Sequence, residues 1–147
     1  MTIDWIIRVG DGNNFIKASK FNTWCIKEHG SNNIHFLKTV VFGDRLWFVR
    51  NGKNGQIIAV ASFVSQRKRE LGPLIPITQT NEEFGFNGNG DWDTEINYNN
   101  LYNLTEINLF SEIRGHCPIR KDKEKISINF QQEYENIEKY SKIKNTM

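Results

Sequence analysis

Residues 45–65 read RLWFVRNGKNGQIIAVASFVS, and this stretch decides the predicted fold. The segment 45–50 is too apolar for the surface of a protein and predicts a buried strand. Residues 51–55 predict a tight hairpin turn, because Asn-Gly pairs adopt the positive φ angles that such turns need. The return segment 56–65 is rich in Ile, Val and Ala and predicts the partner strand. Two strands this apolar, joined by a tight turn, are typical of the middle of a curled sheet or small β-barrel.

Further strands and short helices are predicted on both sides of this hairpin. Residues 3–9 form an apolar run that ends at a Gly-rich turn, and residues 92–104 alternate apolar and polar side chains, so both segments predict strands. Residues 109–116 fit neither type. Three other elements are expected: a short helix capped by Asn13 and Asn14 with Phe15, Ala18 and Phe21 on its apolar face, a loop over residues 28–33, and a helix within residues 131–143 carrying Tyr134, Ile137 and Tyr140. Together they predict an α+β fold.

Length and composition predict one domain over residues 1–147, in an intracellular compartment, either cytoplasm or nucleus. The chain has 147 residues, of which 38% are hydrophobic and 24% charged, as in ordinary globular domains. Its apolar runs are shorter than the ~20 residues that a membrane helix needs, and its first residues lack the pattern of a secretory signal. Cys25 and Cys117 are too few for a disulfide scaffold. We therefore expect a monomer with no membrane partner.

The histidines and cysteines lack the spacing of a metal site, and no cofactor-binding motif is present. No Cys-x-x-Cys repeat, phosphate-binding P-loop or dinucleotide fingerprint occurs in the sequence. The expected metals and cofactors are therefore none.

Basic residues are clustered although the net charge is only +2. Lys17 and Lys20 lie close to Trp24 in the sequence, and Arg67, Lys68 and Arg69 form a run. Such runs are most often solvated surface. If the two clusters share one surface with Trp24, they form a rim that binds phosphates.

The N-terminal third resembles the opening of YTH domains, which read N6-methyladenosine in RNA. The residues that carry the resemblance, in ungapped spacing, are Ile6-Ile7-Arg8, Asn14, Lys20-Phe21-Asn22-Thr23-Trp24-Cys25 and Glu28-His29-Gly30. The segment 43–61 is similar to the related EVE domains. Both families belong to the PUA-like superfamily, so the resemblance implies an α+β fold with a curled mixed sheet or small β-barrel and flanking helices. It covers residues 3–65 closely and 84–104 loosely.

The resemblance implies a base-binding site in the form of an aromatic cage. Trp24 matches the first cage tryptophan, and Asn14 matches a position that faces the Watson–Crick edge of the base. Cys25 matches a position whose backbone carbonyl accepts a hydrogen bond from the base. Phe86 is similar to the second cage aromatic, with Leu74, Phe84 and Trp92 as alternatives for that wall. Arg8 matches a lysine near the RNA backbone, and the expected phosphate-binding set is completed by Lys17, Lys20, Arg67, Lys68 and Arg69.

Each site residue also has a structural interpretation. Trp24 could be a core tryptophan, but its position in a polar, basic stretch after a helix favours a pocket wall. Asn14 could be a plain helix cap. Trp47 lies between Leu46 and Phe48 in an apolar strand and is expected in the core.

The expected function is therefore that of a non-enzymatic reader of a methylated base, N6-methyladenosine in RNA. Stacking of a base on an aromatic side chain contributes ~1–3 kcal/mol, so phosphate contacts would supply much of the affinity. Val9 and Gly10 replace polar residues of the YTH pattern, which leaves an EVE-type reader of modified bases in DNA as an alternative. Two others are an RNA-cleaving enzyme similar to ASCH domains, using residues 27–29 and Lys20, and a protein-interaction module.

Overall fold

The computed structural model describes residues 2–10, 12–26, 30–50, 56–68, 94–108, 119–120 and 131–137. The predicted turn at 51–55 and the ambiguous segment 109–116 lie outside these ranges. Within them the chain is an α+β protein, as predicted. Its elements are β1 (Asp4–Arg8), α1 (Asn13–Ser19), β2 (Thr23–Ile26), α2 (Ser31–Thr39), β3 (Arg45–Arg50), β4 (Gln56–Lys68), β5 (Thr94–Asn108), β6 (Ile119–Arg120) and a helix, α3, over residues 131–137.

The strands form one mixed sheet in the order β2-β5-β4-β3-β1-β6. Strands β1 and β3 are parallel, and every other neighbouring pair is antiparallel. The pairing of β3 with β4 confirms the strands expected at 45–50 and 56–65, and β1 and β5 confirm those expected at 3–9 and, from Thr94 onward, at 92–104. Of the helix expected within residues 131–143, the described part is α3.

Irregular pairing between the two longest strands curls the sheet. The register of β4 against β5 shifts at three places, and β3 against β4 shifts between Phe48 and Val49. Each extra residue in one strand bends that strand and increases its twist. The expected curled sheet is thus present in the described strands.

Alternation along the strands gives the sheet two buried faces. The front face is the side lined by Ile7, Phe48 and Ala61, and the back face is the side lined by Ile6, Trp47 and Val60. Helices α1 and α2 cover the front face with three buried side chains, Phe15, Ala18 and Phe36. Helix α3 covers the back face with Tyr134 and Ile137.

Helix α1 begins differently from the sequence prediction. Gly12, with φ 91°, occupies the N-cap position, and no side chain caps the helix there. Asn13 and Asn14 lie inside the first turn instead of capping it. Glycine adopts this left-handed conformation without the steric penalty of a Cβ atom, so the chain can turn directly from β1 into α1. Phe21, expected on the apolar face, is 41% exposed.

Helix α2 was not predicted, and the loop expected over residues 28–33 is wrong at its C-terminal end. The helix begins at Ser31 and runs to Thr39. Its N-terminal half is polar, and its one fully buried residue is Phe36, whose ring packs edge-on against Trp5 at 4.9 Å. A helix with a single fully buried side chain shows little of the periodic apolar pattern from which helices are predicted.

Among the described helices, none combines the length and the apolar character needed to cross a bilayer.

Candidate nucleic-acid interface

Trp24 lies in strand β2, where its backbone pairs with Ile96 of β5. Its side chain is 5% exposed and joins the core of the front face. The sequence indicated polar, basic surroundings for Trp24, whereas the structure buries its side chain, and its role as a pocket wall stays a prediction. The polar neighbours end at Asn22, while all four residues of β2 are buried. With so little of the indole exposed, a base cannot stack on its face in this conformation.

The rings around Trp24 form a continuous aromatic row across the front face, consisting of Trp24, Phe15, Phe48 and Tyr98. Successive ring centroids along the row are 6.0, 4.5 and 5.3 Å apart. These separations are those of favourable tilted aromatic pairs. The row joins strands β2, β3 and β5 to helix α1, so Trp24 belongs to the packing that holds α1 on the sheet.

Tyr98 ends this row with a buried hydroxyl group. Among the described residues, no group lies within hydrogen-bond distance of Tyr98 Oη, and the residue is 3% exposed. Burial raises the pKa of Tyr98 well above its ordinary value of 10.0. The phenol therefore stays protonated at neutral pH and keeps an O–H donor inside the core.

Cys25 follows Trp24 in β2, and Asn14 is related to Trp24 through the next residue, Phe15. Asn14 is half-buried and precedes Phe15, whose ring meets the Trp24 ring. Cys25 is fully buried in β2. Strand β2 is at one end of the sheet order, so in the described sheet it has a single strand neighbour, β5.

The exposed charged side chains of residues 2–10, 12–26, 30–50 and 56–68 are all cationic. The two carboxylates of these ranges are largely buried. The Asp4 side chain is 11% exposed and forms an ion pair with Arg45, and Asp44 is 1% exposed. Exposed cations with no exposed carboxylate nearby in these ranges produce a positive potential. The exposed cations are Lys17, Lys20, Lys38, Arg50 and Lys68.

The predicted phosphate-binding residues do not all lie on this cationic surface. Lys17 and Lys20 are exposed on and just after α1. Arg8 is half-buried, and its register partner in β3 is Val49, a residue of the back face. Arg67 donates a hydrogen bond from Nη2 to Glu95 Oε2 at 2.8 Å, so a buried carboxylate balances its charge. Lys68 is exposed, and Arg69, Leu74 and Phe86 lie outside the described residues.

Sequence reasoning missed two cations and one aromatic residue of this surface. Lys38 ends helix α2, which was not predicted, and Arg50 closes a strand interpreted only for its apolar residues. Phe42 is 73% exposed in the turn before β3. Gly43 and Asp44 are residue types that favour turns, and a turn position is the signal by which an exposed aromatic residue could have been found.

In the described ranges, no three histidine, cysteine or acidic side chains lie close enough together to hold a metal ion.

Comparison with known proteins shows a distant structural likeness and no family match. No family model matches the chain, and no curated protein matches it. A solved structure described as that of a hypothetical protein from Leishmania major superposes with a TM-score of 0.44 and 12% sequence identity. The superposition covers 76% of this chain and 71% of that one.

Proposed function

We propose that this chain is a PUA-like nucleic-acid-binding domain that holds a modified base, N6-methyladenosine in RNA, and contacts the flanking phosphates through the front-face helices. The observation that carries the proposal is that every exposed charged side chain in the described parts of residues 2–68 is cationic, while both carboxylates there are buried or ion-paired. A polyanion is the partner that such a surface favours, because each phosphate neutralised by Lys or Arg releases bound counterions.

The position of α1 beside β2 supports the base-binding part of the proposal. Asn14 and Trp24, the two residues with the most specific resemblance to YTH domains, lie on elements that pack together. Since Trp24 is 5% exposed, base binding at this position requires the neighbouring side chains to move and uncover the indole. Opening a packed site consumes part of the binding free energy, so we expect modest affinity for the isolated modified base.

Binding of short labelled oligonucleotides tests the proposal. We expect the dissociation constant for single-stranded RNA to rise steeply with salt, by a logarithmic slope of about 0.7 for each phosphate contacted. RNA carrying N6-methyladenosine should bind up to roughly a hundredfold more tightly than unmodified RNA, the limit for one added methyl group in an apolar pocket. Fluorescence anisotropy at several salt concentrations measures both quantities.

Matched charge variants locate the surface. Lys17→Gln with Lys20→Gln should weaken binding and reduce the salt slope, whereas Glu133→Gln with Glu135→Gln on α3 should not weaken it. Affinity that does not change with salt would exclude a phosphate-binding surface. A preference for methylated cytosine in DNA would assign the chain to the EVE-type alternative, and release of shorter RNA products would show an enzyme.

A further inference from the structure

The turn between α2 and β3 is rigid. The Asp44 N–H donates to the Val41 carbonyl at 3.0 Å, which closes a four-residue turn with Phe42 and Gly43 at its centre. Gly43 has φ +92°, the conformation that the third residue of a type II turn requires. The turn is also bound to β4, since the Gly43 N–H donates to the Phe63 carbonyl at 2.9 Å and the Phe63 N–H donates to the Asp44 carbonyl at 2.7 Å.

A buried carboxylate fixes the same turn from inside. Asp44 Oδ2 accepts hydrogen bonds from the Val41 N–H and from Trp5 Nε1, both at 3.1 Å, and Oδ1 accepts one from the Ile3 N–H at 3.1 Å. Charge-assisted hydrogen bonds of this kind are about twice as strong as neutral ones. The backbone of Phe42 is therefore held in one conformation by strand β1 on one side and β4 on the other.

This rigid turn presents an aromatic ring to solvent. Phe42 is 73% exposed, and Val41 beside it is 56% exposed. A phenylalanine whose backbone is already fixed loses little conformational entropy on binding a flat ligand, so its contact is preorganised. Two exposed side chains are too few for a stable protein–protein interface, which buries about 800 Å² on each partner.

Two exposed cations lie where α2 meets the end of β4, one of them close to the turn. Lys38 is exposed in the last turn of α2, just before Val41. Lys68 is exposed at the end of β4, and Gln66, two residues earlier on the same side of that strand, donates from Nε2 to the Leu37 carbonyl of α2 at 2.7 Å. The end of β4 therefore meets α2 next to Lys38, whereas the turn is bound to β4 at Phe63, so Lys68 lies five residues along the strand from the turn, roughly 16 Å.

We infer that Phe42 is a stacking platform for an unpaired base of single-stranded nucleic acid, with Lys38 and Lys68 contacting the adjacent phosphates. Exposed aromatic rings combined with cations along the backbone path are the means by which proteins bind single strands without reading their sequence, because every base has a π face. The inference rests on the proposed nucleic-acid binding and adds a second contact point, on the α2 side of the front face. This contact acts on the strand that flanks the modified base.

Alanine substitution measures the stacking contribution. The probe is an unmodified single-stranded RNA of about 12 nucleotides, within the usual site sizes of ~4–16. Phe42→Ala should weaken its binding by roughly five- to a hundredfold, the range found when one stacked aromatic is removed. Phe42→Leu, which keeps apolar area and lacks the π face, should lose nearly as much. Phe42→Trp should retain binding, and its new exposed indole fluorescence should be quenched when the RNA is added.

The controls separate this inference from the proposed function. Ile16→Ala removes another exposed apolar side chain, 61% exposed on α1, and should leave the affinity for the RNA unchanged. If the wild-type protein binds no RNA or DNA, the proposed function fails and the platform with it. If the wild type binds and Phe42→Ala binds equally well, the platform alone is wrong. A dimer that Phe42→Ala converts to a monomer in solution would show instead that a second copy covers the turn.

Discussion

The two faces of the sheet are buried by different means. The front face is an almost entirely apolar cluster that extends from β1 to the edge strand β2 and takes in both α1 and α2. The back-face cluster is smaller, with Ile6, Trp47, Val49, Ile57 and Val60 at its centre, and its helix α3 contributes Tyr134 and Ile137.

Polar contacts attach α3 to the back face. Arg45 donates two hydrogen bonds to the Asp4 carboxylate, at 2.6 and 3.0 Å, and a third to Gln131 Oε1 at 2.8 Å. Its guanidinium also lies over the Tyr134 ring, 4.9 Å from the centroid. Trp47 Nε1 donates to Asp4 Oδ1 at 2.8 Å, which fixes the carboxylate. The front face is thus held mainly by apolar packing, whereas the back face combines a smaller apolar cluster with an ion pair and its hydrogen bonds.

Removing Trp24 should have the largest effect on the front face. Trp24→Ala deletes a large side chain that is 5% exposed, and the cavity left behind should lower the free energy of unfolding by about 3–5 kcal/mol. Trp24→Phe should lose clearly less, because a ring still meets Phe15. The midpoint of urea denaturation checks both. An Ala variant with the wild-type midpoint would show that Trp24 does not contribute to the core.

Removing Asp4 should disrupt the back face by a somewhat smaller amount. Asp4→Ala leaves the guanidinium of Arg45, whose side chain is 7% exposed, without its carboxylate, and we expect a loss of about 3 kcal/mol. Replacing both residues together, as Asp4→Leu with Arg45→Leu, should recover most of that loss, since no uncompensated charge remains. Urea denaturation of the two single variants and the double variant forms the test. Additive losses would mean that the ion pair is not the coupling element.

The hydroxyl group of Tyr98 should destabilise the front face slightly. Tyr98→Phe removes a buried O–H group that has no hydrogen-bond partner in the described residues, so stability at neutral pH should rise by about 1 kcal/mol.

The same substitution should alter the dependence of stability on alkaline pH. Below pH 10 the phenol is neutral in both the folded and unfolded states, and stability does not depend on its ionisation. Because burial raises the pKa of Tyr98 in the folded state, only the unfolded state ionises just above its ordinary value of about 10, and wild-type stability falls there. Tyr98→Phe should fall less steeply. Urea denaturation at neutral and alkaline pH compares the two, and equal slopes would contradict a buried phenol.

Loosening α3 should have the smallest global effect. Gln131→Ala removes the amide oxygen that Arg45 bonds, and the expected loss of stability is about 0.5–1 kcal/mol. Hydrogen exchange should nevertheless become faster in residues 131–137 while β1 and β3 keep their protection, because local opening precedes global unfolding. Equal acceleration throughout the sheet would show that the two faces do not unfold separately.

The central strands could be predicted from the sequence alone. Strands β1, β3 and β4 come from apolar runs, and β5 comes from a segment that alternates apolar and polar residues. Both patterns are local properties of the sequence and can be read without the tertiary structure. The expectation that Trp47 lies in the core follows from the same pattern and is confirmed by its complete burial. The capping of α1 failed because the left-handed Gly12 begins the helix, and the polar start of α2 concealed that helix.

The environment of each candidate site residue depends on contacts with segments that are distant in the sequence. Those contacts are known only from the tertiary structure. Trp24 follows a polar stretch in the sequence, but β5 lies beside it with Ile96 as its backbone partner, and the tryptophan enters the core. Arg67 belongs to a basic run, yet Glu95, 28 residues away, pairs with it. The sequence by itself determined which residues are apolar or charged. Burial and charge balance depend on all neighbours in space, so the folded chain decided which of those residues remain on the surface to meet a partner.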